Sequence, residues 1–299
     1  MKKRNLLVML AFSMIIALLV ACGSDAAEEE TTDDAAEETE TDAGNEESNN
    51  EAEGSLEGTI TMAGSTSVQP LSEELAAAFM EIHPDTRLEV AGGGSGAGVT
   101  AAQENAADFG AVSREIAEDE TGIESTVIAI DGIAIITHPD NPLEDIALED
   151  VTDIFNGDIT NWSEVGGEDV DIVVVSREDG SGTRGAFTDI VLGGEDTLVE
   201  SALIHNSTGG VLEAVANDPN AIGYASTGSM DENVKGLSVD GAEPSEENIQ
   251  SGDYTVSRPF NYATNEDEEL SELAQAFLDF ILSDDGQAVV SENGFIPVN

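Results

Sequence analysis

Cysteine occurs once in the 299-residue chain, at Cys22. A lone thiol excludes internal disulfides and thiolate metal clusters. Histidine is nearly as rare, at three residues, which argues against a histidine-rich zinc site. Aromatic residues make up 4%, too few for the stacking platforms that hold single-stranded nucleic acid. Basic residues are the most telling shortage: 9 Lys and Arg face 63 Asp and Glu, a formal net charge of -54. Such a surface cannot neutralise phosphodiesters, so nucleic acid is excluded as a partner. Long apolar runs are missing too, apart from residues 6–20. No other segment reaches the roughly 18 apolar residues of a membrane span, so the mature chain is not expected to cross a bilayer. What remains is ordinary: 40% hydrophobic residues and enough length for two domains.

The opening segment reads as an address. Lys2, Lys3 and Arg4 precede the apolar run, which is broken only by Ser13 and is short for a spanning helix but right for a signal sequence. It ends in Leu19-Val20-Ala21-Cys22, which resembles a bacterial lipobox. Cleavage before Cys22 and lipidation of its thiol are expected, holding the protein on the outer face of the cell membrane. Residues 1–21 are therefore expected to be a lipoprotein signal peptide. Residues 23–54 carry 14 acidic residues and no basic one. With almost nothing to bury, residues 22–54 are expected to form a disordered, self-repelling tether behind the lipidated cysteine.

From Ser55 the pattern alternates between short strand-like runs, glycine-rich turns and amphipathic stretches. Residues 59–62, 88–90, 107–112, 127–130, 132–137, 170–175 and 221–224 read as strands. Residues 70–82, 148–155, 184–192, 211–216 and 268–282 read as helices. Strand, glycine turn and helix in repetition predict an α/β fold.

Three turns share one composition: Gly64-Ser65-Thr66-Ser67, Gly94-Ser95-Gly96 and Gly180-Ser181-Gly182-Thr183. Glycine lets backbone approach a ligand, and the helix start behind each turn offers unpaired N–H groups. Hydroxyls add short donors, and Arg177 stands beside the third turn. Together they suit a tetrahedral oxyanion. Simple helix capping by Ser and Thr is the alternative reading for any single turn. Enzymatic signatures are weaker. No phosphate-loop lysine motif follows the glycines. The Ser95 segment lacks the second glycine of a nucleophile elbow. His83 and His138 each precede proline, and His205 stands alone.

Several segments occur together in a familiar order: Gly64-Ser65-Thr66-Ser67-Val68-Gln69-Pro70-Leu71, Gly92-Gly93-Gly94-Ser95-Gly96-Ala97-Gly98, Ala107-Asp108-Phe109-Gly110, Phe155-Asn156-Gly157-Asp158-Ile159-Thr160-Asn161-Trp162, Arg177-Glu178-Asp179-Gly180-Ser181-Gly182-Thr183-Arg184, Ser207-Thr208-Gly209-Gly210 and Gly294-Phe295-Ile296-Pro297. From residue 56 to the end, the chain resembles the phosphate-binding lipoproteins of high-affinity phosphate ABC importers. The resemblance implies a two-lobed periplasmic-binding-protein type II fold with an anion cleft between lobes joined by crossing strands. The lobes are expected at residues 55–130 with 258–299, and at 131–257. The crossovers are expected near residues 126–133 and 255–260. It also implies phosphate ligands at Ser65, Thr66, Ser67, Ser95, Ser113, Arg114, Arg177, Ser181, Gly182 and Thr183, with Asp179 orienting Arg177. Many members carry an aspartate where this chain has Ser113, so Asp131 is the candidate acceptor for the hydrogen of phosphate, or else a turn residue. The implied partners are inorganic phosphate and a membrane-embedded ABC permease, for a monomer without cofactor or metal. A receptor for sulfate, molybdate or arsenate, a secreted phosphohydrolase and a surface adhesin are the competing expectations.

Overall fold

The computed structural model describes residues 56–299; the signal-like run, Cys22 and the acidic tether lie outside the described residues. The elements follow in the order β1 (Gly58–Gly64), α1 (Gln69–Ile82), β2 (Thr86–Gly92), α2 (Ser95–Gln103), β3 (Phe109–Val112), β4 (Ile123–Thr137), β5 (Asp145–Ile146), α3 (Leu148–Asn156), β6 (Val173–Arg177), α4 (Gly182–Ile190), β7 (Leu203–His205), α5 (Thr208–Asn217), β8 (Ala221–Ser226), β9 (Lys235–Gly236), β10 (Ser238–Val239), α6 (Glu246–Ser251), β11 (Ser257–Asn265), α7 (Glu272–Leu282) and α8 (Asp284–Glu292). The main sheet runs β2-β1-β3-β11-β4-β8-β6-β7, with β9 beside β4. Two parallel groups, β1 with β2 and β3, and β6 with β7 and β8, flank the antiparallel pair β4 and β11. The two halves are thus joined through long strands that take part in both.

Each half has its own core. Leu71, Leu75 and Phe79 recur every fourth residue of α1 and lie buried against Phe109, Tyr262, Phe277 and Phe295. Burying each such side chain is worth roughly 1.5–3 kcal/mol. His83 and Pro84 end this helix, the His83 N–H closing on the Phe79 carbonyl. In the other half Phe187 stacks on Tyr224 at 4.1 Å, beside Phe155 and Trp162. The last residues of β4 alternate between two cores: Ile133 and Ile135 enter this one, while Ala134 and Ile136 join Val175, Val211 and Val215 on the opposite face. A strand covered on both faces reads as an unbroken apolar run. No helix among the described residues is long and apolar enough to cross a membrane.

The structure differs from the sequence reading in several elements. The two strands expected at 127–130 and 132–137 are one strand, because Asp131 meets Arg258 directly across the ladder and no turn is needed. Asp131 is therefore not a turn residue. The strand expected from residue 170 begins at Val173. Val170 and Ile172 are tied instead to Trp162 and Thr160. The helix expected from residue 268 begins at Glu272, where the Ser271 hydroxyl accepts the Ala274 N–H at 3.1 Å. Ser283 then caps a further helix, α8, through the Gly286 N–H at 3.2 Å.

Candidate functional site

Ligands of open α/β sheets bind outside the carboxyl ends of the parallel strands. Here both parallel groups send helix starts to such an end: β1 leads to α1, β2 to α2, β6 to α4 and β7 to α5. Gly64, at φ +139, makes the first turn possible. A side chain there would overlap the Ala111 carbonyl and come within 2.9 Å of the Gly98 Cα. Ser181 and Ser207 cap α4 and α5, accepting the Arg184 and Gly210 N–H groups at 3.2 and 3.1 Å.

The side chains at these four starts meet in one polar cluster. The Ser65 hydroxyl accepts the Ser67 and Val68 N–H groups at 3.2 and 3.4 Å and donates to Ser113 Oγ at 2.8 Å. The Ser113 N–H donates to Ser95 Oγ at 3.0 Å, and the two hydroxyls stand 3.3 Å apart. Ser67 Oγ lies 2.8 Å from both Thr183 Oγ1 and Thr208 Oγ1. Thr66 Oγ1 accepts the Thr208 N–H at 3.1 Å. The Arg177 guanidinium spans the cluster, donating from Nη2 to Thr66 and from Nη1 to Thr208, both at 3.2 Å. Gly182 joins the two groups of hydroxyls: a Cβ on it would overlap Ser95 Oγ and stand 2.7 Å from Ser113 Oγ. Apart from half-buried Thr66, all these residues are buried. Polar groups are costly to bury unless hydrogen-bonded. A buried set of hydroxyls and one cation, bonded to each other across two halves of a sheet, can enclose a small multiply charged oxyanion.

Arg177 is only 2% exposed, and Glu178 holds it side-on, Oε2 to Nε and Oε1 to Nη2, each at 3.0 Å. The Tyr224 hydroxyl underpins it, accepting the Arg177 N–H at 3.4 Å. Asp179, expected to orient Arg177, does not. Its side chain is 94% exposed and pairs with Arg184, which also binds Asp196. Glu178 is thus the partner missed by sequence reasoning, although it adjoins Arg177. Thr208 was also missed as a site residue. Its Ser-Thr-Gly-Gly composition repeats the other turns and was signal enough.

Two expected ligands stand apart from the cluster. Arg114 turns to Glu120, its Nη1 and Nη2 each 2.7 Å from a carboxylate oxygen, and its stem packs near Gly185. The hydrogen bond to Arg114 holds the Glu120 carboxyl below the usual range. Asp131 is fully buried and committed. Oδ2 takes Arg258 Nε and Nη2 at 3.2 and 2.9 Å, while Oδ1 takes the Ser226 and Thr227 hydroxyls at 2.8 and 3.2 Å. Burial pushes this carboxyl up and the guanidinium opposes that push. A carboxylate with both oxygens so engaged is not an acceptor for a ligand hydrogen, so the structure corrects that expectation. A surface cavity of about 750 Å³ elsewhere is ringed by Glu124, Glu266, Asp267, Glu268 and Glu269, a lining that repels anions.

Known proteins resemble this chain in sequence and in fold. A PBP superfamily domain profile matches residues 48–285. The phosphate-binding protein PstS of Bacillus subtilis is 33% identical over 306 aligned positions, covering 100% of this chain and 95% of the relative. A candidate phosphate ABC transporter substrate-binding protein from Clostridium perfringens, solved with bound phosphate, is 42% identical with a TM-score of 0.79, covering 81% of this chain and 100% of that one. An ABC-type phosphate transport receptor from Vibrio cholerae is 34% identical with a TM-score of 0.67, covering 79% and 99%. With a PstS protein matched along the full length of this chain at 33% identity and a PBP superfamily profile matched over residues 48–285, the chain belongs to the PstS family of the PBP superfamily.

Proposed function

We propose that the protein captures inorganic phosphate in the hydroxyl cluster around Arg177 and passes it to a membrane ABC importer. The observation that carries this reading is the buried guanidinium donating to hydroxyls of both sheet halves, Thr66 and Thr208. Charge-assisted hydrogen bonds from a planar fork suit phosphate oxygens. The helix starts of α1, α2, α4 and α5 add backbone N–H groups and favourable dipole ends. Family membership supports delivery to an importer, because relatives are described as transport receptors. In this reading residues 55–130 with 258–299 form one lobe and residues 131–257 the other. The ligands are Ser65, Thr66, Ser67, Ser95, Ser113, Arg177, Ser181, Gly182, Thr183 and, newly, Thr208. The lipidated Cys22 would hold the receptor at the outer membrane face, and Cys22→Ser should abolish incorporation of labelled fatty acid. Calorimetric titration with phosphate tests the central claim. Saturable binding at one site per chain is expected, and absence of heat together with absence of thermal stabilisation would refute it.

A further inference from the structure

Helix α4 meets the half built on β1, β2 and β3 along one of its faces. The turn before it touches that half through backbone, the Gly180 carbonyl accepting the Gly96 N–H at 3.1 Å. Gly182 then faces Ser113, a Cβ on it standing 2.7 Å from Ser113 Oγ. Three residues on, Gly185 faces the next residue of the same segment. A Cβ there would come within 3.1 Å of Arg114 Cδ and 3.6 Å of Arg114 Nε. Residues three apart share a helix face, so two glycines on that face meet two consecutive residues of the opposite half. Glycine inside a helix is unfavourable relative to alanine, and the Arg114 stem is what fills the space that a side chain at 185 would need. Arg114 is itself held firmly. Nη1 and Nη2 each donate to a Glu120 oxygen at 2.7 Å, and Nη1 also donates to the Glu115 carbonyl at 2.9 Å. The Ala117 N–H donates to Glu120 Oε2 at 2.9 Å, and Asn261 of β11 donates to the Arg114 carbonyl at 2.9 Å. Asp189, four residues beyond Gly185 on α4, attracts the same guanidinium from the other half. On the reading of the hydroxyl cluster as a phosphate site, on which this inference rests, we propose that Arg114 is a positioning residue: its stem, held by Glu120, is the seat for Gly185 and sets how closely the start of α4, with Ser181, Gly182 and Thr183, approaches the ligand.

A seat works only if it is rigid. A free arginine side chain samples many rotamers, and pressing a helix against it costs that freedom. The Glu120 fork removes the freedom beforehand, within one half of the molecule, so less of the contact's free energy is spent on ordering the stem. Arg114 does not reach the ligand in this arrangement, because its guanidinium is turned to Glu120. It acts through spacing: without the stem, the start of α4 loses its fixed distance from Ser95 and Ser113.

Calorimetry of phosphate binding to the full chain tests the proposal through a double-mutant cycle. Gly185→Leu places bulk where the Arg114 stem lies and should weaken phosphate binding at least about tenfold. Arg114→Ala removes the seat and should weaken it at least about fivefold. In the double variant the leucine fills the vacated space, so it should bind at least about fivefold more tightly than Gly185→Leu alone. Losses that simply add would overturn the seat, since a residue of general structural importance gives no such rescue. Arg114→Lys supplies a second readout that does not depend on Gly185. It keeps the aliphatic stem and the charge, so it should bind within about threefold of the parent. A lysine variant as weak as Arg114→Ala would overturn the role of the stem. A parent protein that does not bind phosphate would refute the phosphate site itself, whereas a binding parent with additive losses would refute only the part assigned to Arg114.

Discussion

Arg177 concentrates the site's chemistry, because it is the one cation in the cluster and it bridges hydroxyls from two halves of the sheet. Each charge-assisted hydrogen bond it offers an anion is worth roughly 1.5–3 kcal/mol. Arg177→Ala should therefore weaken phosphate binding by about a hundredfold or more in calorimetry. A variant binding within about threefold of the parent would remove Arg177 from the site. Arg177 and most of the hydroxyls were legible in the sequence, since glycine with Ser or Thr before a helix is a local signature. The partners of the charges were not. Asp131 pairs with a residue 127 positions away, and no local pattern announces that. Removing one member of a buried ion pair typically costs about 3–5 kcal/mol. Asp131→Asn should accordingly lower the urea midpoint, whereas the double change Asp131→Leu with Arg258→Met should recover much of the loss. Equal midpoints for Asp131→Asn and the parent would contradict the geometry.

At the scale of elements, the cluster depends on how closely helix starts can approach one another. The Gly96 N–H donates to the Gly180 carbonyl at 3.1 Å, so the turns before α2 and α4 touch through backbone. Gly182 opens α4 on ordinary helical backbone, where alanine would by itself be favourable. Its missing side chain matters because Ser95 and Ser113 occupy that space. Gly182→Ala should thus change helix stability little but weaken phosphate binding at least about tenfold, overpacking of this kind costing about 1–3 kcal/mol. Undiminished affinity would mean that the two turns need not approach this closely. Helices α1, α3 and α5 were readable from periodicity because each buries one face. Strand β4 was misread as two because Asp131 and Gly132 look like a turn until Arg258 is known to lie opposite. The two-residue strands β5, β9 and β10 left no periodic trace at all.

For the whole molecule, charge and burial pull in opposite directions. Residues 56–299 hold 49 acidic and 6 basic side chains. Every one of those basic side chains already pairs with a carboxylate, so the remaining acids repel without compensation. At molar salt the screening length falls to about 3 Å. The melting temperature should rise from low to molar NaCl, and a flat or falling profile would refute uncompensated repulsion. The alkaline limit has a different origin. All three tyrosines of the chain, Tyr224, Tyr254 and Tyr262, are buried. Their hydroxyls meet Ser176 Oγ at 2.7 Å, the Ile133 carbonyl at 2.8 Å and Ser72 Oγ at 2.7 Å. Burial pushes each phenol above its ordinary value. A phenol raised in the folded state adds stability that is fully present below the unfolded value of about 10 and is lost as pH climbs beyond it. The folded protein should therefore show no tyrosinate absorbance near 295 nm at about pH 10, and the signal should appear together with loss of far-ultraviolet circular dichroism at higher pH. Tyrosinate forming at about pH 10 with the dichroism intact would show that at least one phenol reaches water in the native state, contrary to the burial described.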